Sequence, residues 1–221
     1  HMSQHEYIIA FDCGGIFAND IPVDMFKKLA QDSYPESEQA RISDIHARNR
    51  DLWNRFKLEK GYTETTYFET VIEREKLNES VDELKRRLRE SIICYQHVRE
   101  VAVALHKQGY AIAIMSNHSD EWFDYIASTF NFAEFCPPNR TIVSQAVHAA
   151  KPSKEIMDVL FAAIQQDFPS WTKEKIVFVD DTEANVTAAI TYGFKSFVYD
   201  ARLQNAEALW AELSKYGVKR S

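Results

Sequence analysis

Short apolar runs recur along the chain, separated by segments whose apolar residues follow helical spacing. Five runs match the length of a strand: residues 7–11, 110–115, 141–144, 175–179 and 194–199. A continuous apolar run of this length, bounded by turn residues, is typical of a strand buried on both faces of a sheet. Helical spacing predicts helices between the later runs, at residues 96–108, 120–130, 153–165 and 183–192. This alternation predicts an α/β fold with a parallel sheet and helices on both of its faces.

Residues 21–93 carry no comparable apolar run. Their apolar residues recur instead at helical spacing, as at Leu52, Trp53 and Phe56 and again at Tyr67, Phe68, Val71 and Ile72. With 221 residues, the chain is long enough for one core domain with an insertion. We therefore predict a core domain formed by residues 1–20 and 94–221, and a helical cap domain at residues 21–93.

Four short polar segments lie at or just beyond the ends of predicted strands. They are Asp12-Cys13-Gly14-Gly15, Ser116-Asn117, Lys151-Pro152 and Asp180-Asp181. In an open parallel sheet, residues at the carboxyl ends of the strands converge on one crevice, even when about a hundred residues separate them in sequence. The sequence therefore predicts one active site that contains all four segments.

The first segment supplies a carboxylate and a permissive backbone. Gly14 and Gly15 allow backbone N–H groups to approach an anion closely, which is how a turn cradles phosphate. A carboxylate held at such a turn can attack phosphorus and form an aspartyl-phosphate, so Asp12 is a candidate nucleophile. Taken alone, Asp12 would equally suit a turn or a helix cap, and its neighbours favour the catalytic role.

Asp180 and Asp181 form an adjacent acidic pair whose joint ionisation is unfavourable. A divalent cation would resolve that conflict, and Mg²⁺ prefers a few carboxylates, several waters and a phosphate oxygen. We therefore expect Mg²⁺ at this strand end. The simpler alternative is that Asp181 caps the next helix while Asp180 is solvated.

The other two segments supply donors and a cation. The hydroxyl of Ser116 and a backbone N–H of the following turn can both donate to a phosphoryl oxygen. Lys151 carries an ammonium that can reach the crevice as a point charge on phosphate. His118 either lines the substrate pocket or faces water. Cys13 lacks an arginine at the spacing of a cysteine-dependent phosphatase, so we expect its side chain to pack in the core.

Composition limits which binding partners and which cellular compartment we expect for the protein. The chain has 26 basic and 33 acidic residues, and its net charge of -7 argues against a nucleic-acid partner. No apolar run approaches the roughly 20 residues of a membrane-spanning helix. The three cysteines are widely spaced, as expected for reduced thiols. We expect a soluble, cytoplasmic protein, a monomer or homodimer, that takes a small-molecule phosphorylated substrate.

The four segments, in this order, resemble those of the haloacid dehalogenase superfamily, whose members are mostly Mg²⁺-dependent phosphohydrolases with a Rossmann-like core and a mobile cap. The resemblance covers nearly the whole chain, and it implies that Asp12 is the nucleophile and that Ser116 and Lys151 act with it in catalysis. The implied substrate-binding residues are Cys13, Gly14, Gly15, Ser116, Asn117, His118 and Lys151. The implied metal-binding residues are Asp12, Gly14 through its carbonyl, Asp180 and Asp181, with Asp181 the more direct ligand of the last pair.

The predicted cap also resembles one branch of this superfamily. Trp53-Asn54-Arg55-Phe56, Gly61-Tyr62-Thr63 and Phe68 are similar to the helical cap of the α-D-glucose-1-phosphate phosphatases, near the phosphatase domain of soluble epoxide hydrolases. This resemblance implies a phosphomonoesterase, with a sugar phosphate among the candidate substrates.

One position departs from the family pattern. The family usually has a second Asp two residues after the nucleophile as general acid and base, whereas this chain has Gly14. The missing proton transfer is typically worth about 10²–10⁴-fold in rate, unless an acid of the cap or the nearby Asp20 substitutes. Two alternatives therefore stay open. One is a silent phosphate-binding protein, and the other is a metal-independent 2-haloacid dehalogenase, although Asp180 and Asp181 would repel the carboxylate of its substrate.

Overall fold

The computed structural model describes residues 5–221, and a five-stranded parallel sheet lies at its centre. The strands are β1 (Ile8–Phe11), β2 (Ile112–Ser116), β3 (Thr141–Val143), β4 (Ile176–Asp180) and β5 (Lys195–Val198). Their order across the sheet is β3-β2-β1-β4-β5, so β1 is the middle strand. Ile9 of β1 pairs with Ile112 on one side and with Val177 on the other. Each predicted apolar run forms one strand, and the predicted α/β fold is confirmed.

Helices alone fill the region between residues 21 and 93. They are α1 (Ile21–Ser33), α2 (Glu36–Ser43), α3 (Ile45–Arg48), α4 (Arg50–Phe56), α5 (Glu64–Glu75) and α6 (Val81–Glu90). The side chain of Thr63 accepts a hydrogen bond from the N–H of Thr66 and so begins α5. No strand lies within this span, so the predicted helical insertion is confirmed. Its division from the core as a separate domain stays a prediction, and residues 1–4 of that predicted core lie outside the described residues.

The remaining helices follow the insertion and cover the sheet. They are α7 (Gln96–Lys107), α8 (Asp120–Thr129), α9 (Ser144–Val147), α10 (Lys154–Asp167), α11 (Glu183–Tyr192) and α12 (Ala206–Ser214), with short 3-10 helices at Phe132–Glu134, Pro138–Arg140 and Lys173–Lys175. None of the helices in residues 5–221 has the length and apolar character that crossing a membrane requires.

The two faces of the sheet pack into different apolar clusters. Successive strand residues point to opposite faces, so Ile9 and Phe11 join one cluster while Ile8 and Ala10 join the other. The cluster around Ile9 continues into the inserted helices and includes residues from Ile21 to Leu88. The other cluster lies against α10 and α11. The insertion therefore shares its apolar core with one face of the sheet.

Asn19 joins the two connections between the sheet and the inserted helices. Its side-chain Nδ2 donates to Asp24 Oδ2 and to the carbonyl of Ser91, both over 2.8 Å. Its Oδ1 accepts a hydrogen bond of 2.8 Å from the N–H of Ile93. Only 2 % of Asn19 is exposed. One buried side-chain amide thus joins the segment that enters the insertion to the segment that leaves it.

Candidate active site

Asp12 follows directly on β1, and two donors hold one oxygen of its carboxyl group. The N–H of Cys13 donates to Asp12 Oδ1 over 2.7 Å. Lys151 Nζ lies 2.7 Å from the same oxygen. Asp12 is buried, with 7 % of its surface exposed. Because Oδ1 is engaged by both donors, Oδ2 is the oxygen left to react.

Lys151 connects Asp12 to Asp180 at the end of β4. Its Nζ also donates to Asp180 Oδ2 over 2.8 Å, so one buried ammonium contacts two carboxylates. Asn117 holds the backbone of this lysine in place. Its Nδ2 donates to the Lys151 carbonyl over 3.0 Å, and its Oδ1 accepts from the Lys151 N–H over 2.8 Å. The lysine is therefore positioned at both its backbone and its ammonium.

Asp180 is fully buried, and donors surround both of its oxygens. Oδ1 accepts a hydrogen bond of 2.8 Å from the N–H of Thr182, and Asn185 Nδ2 lies 3.3 Å from both oxygens. Thr182, not Asp181, is the N-cap residue of α11. The simpler alternative for this pair, a solvated Asp180 beside a helix-capping Asp181, is therefore wrong.

Asp12, Asp180 and Asp181 form a carboxylate cluster in which one oxygen from each lies within 4.8 Å of the others. Burial raises the pKa of Asp12, the Asp180 carboxylate raises it further, and Lys151 lowers it. Burial and then Asp180 also raise the pKa of Asp181. One lysine cannot balance three carboxylates, so full ionisation of the cluster needs more positive charge. A donor set made of oxygens alone fits a hard divalent cation such as Mg²⁺ or Ca²⁺.

The two glycines after Cys13 differ in what a side chain would meet. Gly15 has a φ of +77°, and an added Cβ would lie 2.2 Å from Asp181 Oδ2, so only glycine fits there. At Gly14 an added Cβ would have no neighbour within 4 Å, and the backbone is not left-handed. The structure can therefore accommodate a side chain at Gly14.

A cavity of about 300 Å³ opens at this edge of the sheet. Six of the predicted site residues line it: Asp12, Gly14, Gly15, Asn117, His118 and Asp181. The other four are buried and lie outside its lining: Cys13, Ser116, Lys151 and Asp180. The Cys13 thiol belongs to the apolar core, as expected, and the N–H of Cys13 donates to Asp12.

Ser116 and His118 each carry a buried polar atom without a partner among residues 5–221. Ser116 at the end of β2 is fully buried, and its Oγ makes no hydrogen bond. His118 is 6 % exposed, and its Nδ1 is likewise unpaired. Burial lowers the pKa of His118 to about 4, so its imidazole is neutral at pH 7. Leaving such atoms unpaired costs free energy, which a ligand oxygen could recover.

The cavity is also lined by residues that the sequence did not predict to bind metal or substrate. They are Asn19, Asp20, Ile21, Pro22, Trp53, Lys57, Thr182, Asn185 and Arg202. Partial burial, and then the charge of Asp24, raise the pKa of Asp20. Trp53 and Lys57 are four residues apart, a spacing that predicts a shared helix face. Sequence alone carries no signal that this face meets the strand ends.

Comparison with known proteins assigns the family. The sequence pattern of the haloacid dehalogenase-like hydrolases matches residues 9–199. No curated protein matches the chain. A solved structure of the HAD family enzyme BT-2542 from Bacteroides thetaiotaomicron, in complex with magnesium and inorganic phosphate, is 17 % identical. The match covers 92 % of this chain and 98 % of that one, with a TM-score of 0.68.

Dehalogenases have the same fold. The L-2-haloacid dehalogenase from Xanthobacter autotrophicus, with chloropropionic acid covalently bound, is 17 % identical over 94 % of this chain and 82 % of its own, with a TM-score of 0.63. A further structure of a dehalogenase is also 17 % identical. The match covers 96 % of this chain and 99 % of that one, with a TM-score of 0.67. Likeness at these identities shows the fold. Because the family pattern extends from β1 to just past β5, the protein belongs to the haloacid dehalogenase-like hydrolases.

Proposed function

We propose that this protein is a Mg²⁺-dependent phosphomonoesterase that acts on a small phosphorylated metabolite through an aspartyl-phosphate at Asp12. The observation that carries the proposal is the arrangement around that residue. Asp12 has one oxygen fixed by Lys151 and the N–H of Cys13, and the Asp181 carboxylate lies within metal-binding distance. The magnesium and inorganic phosphate bound to the BT-2542 enzyme support the proposal by analogy of fold.

The reaction would proceed in two steps at Asp12. In the first, Oδ2 forms a bond to phosphorus while the bond from phosphorus to the alcohol oxygen breaks. In the second, water attacks phosphorus, releases phosphate and restores the carboxylate. Lys151 would hold the nucleophile and stabilise the phosphoryl oxygens. The unpaired Oγ of Ser116 would donate to one of those oxygens.

The residues that would hold Mg²⁺ are Asp12, the carbonyl of Gly14 and Asp181, with Asp180 assisting through water. Asp180 suits the indirect role because Lys151, Thr182 N–H and Asn185 already surround its oxygens. A bound Mg²⁺ would supply positive charge that polarises the phosphoryl group and favours the ionised carboxylates.

Proton transfer is the weak part of this site. Gly14 offers no acid to the departing alcohol, so esters with a good leaving group should react fastest. Aryl phosphates and anomeric sugar phosphates are of this kind, which agrees with the resemblance to the glucose-1-phosphate phosphatases. Asp20 lies in the same cavity with a raised pKa and is the acid placed to substitute.

The test is to measure phosphate release from p-nitrophenyl phosphate with Mg²⁺ and with a chelator. We expect release that requires Mg²⁺ and disappears in Asp12→Asn. Release that continues unchanged with the chelator would refute the metal role. Full activity in Asp12→Asn would refute the nucleophile.

Two alternatives are favoured by one observation, the absence of a carboxylate at Gly14. A 2-haloacid dehalogenase would release halide from 2-chloropropionate without added metal. A silent phosphate-binding protein would bind inorganic phosphate but release none from any ester. The same assays, with halide detection added, therefore separate all three functions.

A further inference from the structure

The inserted helices supply part of the cavity wall. Trp53 in α4 and Lys57, the residue just after that helix, both line the cavity. They are four residues apart and share one side of the helix. The inserted region therefore presents an aromatic ring and an ammonium to the cavity that contains Asp12.

The segment that carries Lys57 is fastened to the core. Ser144 Oγ donates to the carbonyl of Lys57 over 2.7 Å. Gln145 Nε2 donates to the carbonyls of Glu59 and Tyr62 over 2.8 Å and 2.9 Å. Both donors belong to α9, which follows β3 directly. The backbone of Lys57 is thus held against the sheet edge, so the side chain starts from a fixed backbone position.

Among the described residues, no carboxylate pairs with the Lys57 ammonium. Of residues 5–221, Lys57 and Arg202 are the two cations that line the cavity. Arg202 is paired, because its guanidinium donates to both oxygens of Asp200 over 3.0 Å and 2.8 Å. The Lys57 ammonium forms no ion pair or hydrogen bond with any of residues 5–221. A partly buried ammonium without a partner is unfavourable until an anion binds beside it.

The surroundings of Lys57 make its positive charge still less favourable in the absence of a bound anion. Burial lowers its pKa, and the positive charges of Arg50 and Lys151 lower it further. His118, with its buried and unpaired Nδ1, lies in the same cavity, its ring centroid 5.7 Å from that of Trp53. An unpaired cation and an unpaired ring nitrogen therefore lie beside the reacting groups.

We infer that Lys57 binds a second anionic group of the substrate, so that the site selects small phosphomonoesters whose alcohol carries a carboxylate or a second phosphate. The inference rests on the proposed function and narrows its substrate class. In that function the phosphoryl group is held by Lys151, Ser116 and the metal, so Lys57 meets the remainder of the ester. A cavity of about 300 Å³ suits a remainder the size of a short chain or a single sugar.

The test compares three esters that share a three-carbon chain and differ at the far end: 3-phosphonooxypropanoate, 1,3-propanediol bisphosphate and 3-hydroxypropyl phosphate. We expect kcat/KM to be at least about 10-fold higher for the preferred anionic ester than for the neutral one, as one charge-assisted contact provides. The ester with the larger advantage identifies the anion.

Substitutions at Lys57 test its role in this preference. Lys57→Met should make the three kcat/KM values similar, and Lys57→Arg should preserve the preference. Lys60→Met is the matched control, because Lys60 is exposed and outside the cavity.

A binding measurement separates this inference from the proposed function. Calorimetry of the three esters with Asp12→Asn and Mg²⁺ reports affinity without turnover. Tighter binding of an anionic ester, lost on adding Lys57→Gln, would support the role of Lys57 even if no ester were hydrolysed. Equal affinities for all three esters, or a preference that survives in both Lys57→Gln and Lys57→Met, would overturn it. Absence of hydrolysis from every ester, p-nitrophenyl phosphate included, would count against the phosphatase instead.

Discussion

The two sides of the cavity differ in whether their lysine is paired with a carboxylate. On the sheet side, Lys151 contacts both Asp12 and Asp180 and is almost completely buried. On the inserted side, Lys57 is partly buried and has no acidic partner among the described residues. A cation that is already paired can hold a nucleophile in place, whereas an unpaired one is poised to bind an anion from outside. We therefore assign the chemistry to the sheet side and the choice of substrate to the inserted side.

The largest expected effect is at the nucleophile. Asp12→Asn removes the charge of the attacking carboxylate, so we expect kcat on p-nitrophenyl phosphate to fall by at least about 10⁴-fold. Asp44→Asn, at an exposed acid of the insertion, is the control and should leave the rate unchanged. A loss of less than tenfold in Asp12→Asn would show that the sheet side does not work through this carboxylate.

The next effect is a gain. Gly14→Asp would restore the acid that the family pattern has two residues after the nucleophile, and an added Cβ meets no neighbour there. We expect turnover of alkyl phosphates to rise by up to about 10²–10⁴-fold, with a smaller gain on aryl phosphates, which need no acid. Gly15→Asp is the contrasting variant. It should show no gain in turnover, because its Cβ would clash with Asp181.

A folded Gly14→Asp protein that binds Mg²⁺ but shows no preferential gain on alkyl phosphates would mean that the glycine is not the limiting defect. An existing acid would then already supply the proton, and Asp20 would be the first residue to replace. Asp20→Asn should in that case slow alkyl phosphates more than aryl phosphates.

The third prediction concerns how the two sides are joined. Trp122 of α8 is fully buried and packs against Trp53, Phe56 and Tyr67 of the insertion, with ring centroids 5.6, 4.8 and 5.5 Å away. Trp122→Ala should lower the free energy of unfolding by about 3–5 kcal/mol, as loss of a core aromatic typically does. Because sheet and insertion share this apolar cluster, urea unfolding of the wild-type protein should show one transition.

Trp171→Ala is the matched control for that variant. Trp171 is also buried but belongs to the cluster on the opposite face of the sheet. It should destabilise the protein without changing substrate preference, whereas Trp122→Ala should disturb both properties. Two separate wild-type transitions would instead favour an insertion that folds as a domain of its own.

The smallest expected effect is on metal affinity. Asp181→Ala removes the proposed direct ligand that is not engaged by Lys151, so Mg²⁺ binding should weaken by at least about 10²-fold in calorimetry, the upper range for residues that merely support a metal site. Asp200→Ala, which frees Arg202 without touching the cluster, should change Mg²⁺ affinity far less. Unchanged affinity in Asp181→Ala would remove this residue from the metal site.

Much of the sheet side was predictable from the sequence, because an apolar strand that ends in a polar residue fixes where that residue lies. The ends of β1 and β4 placed Asp12 beside Asp180 in this way. The pairing of Lys151 with both acids was not predictable, since it depends on how Asn117 holds the lysine backbone. Nor does any motif show that Gly14, unlike Gly15, has room for a side chain.

The inserted side was predictable only as helices. Apolar spacing at Leu52, Trp53 and Phe56 indicates an amphipathic segment, but Trp53 serves both the core and the cavity. The position of Lys57 depends on long-range hydrogen bonds from Ser144 and Gln145, which lie more than eighty residues further along the chain. Local pattern carries no information on such contacts, so the substrate side of the site needed the tertiary structure.

The most direct test of the central claim is to trap the phosphorylated enzyme. Excess protein with Mg²⁺ and p-nitrophenyl phosphate would be quenched in acid during a single turnover and digested for mass spectrometry. We predict that the mass of one phosphoryl group appears on the peptide that contains Asp12, and that it is absent from Asp12→Asn. Phosphate released at the wild-type rate with no phosphoryl group on any peptide, or with the group on another residue, would contradict the role assigned to Asp12.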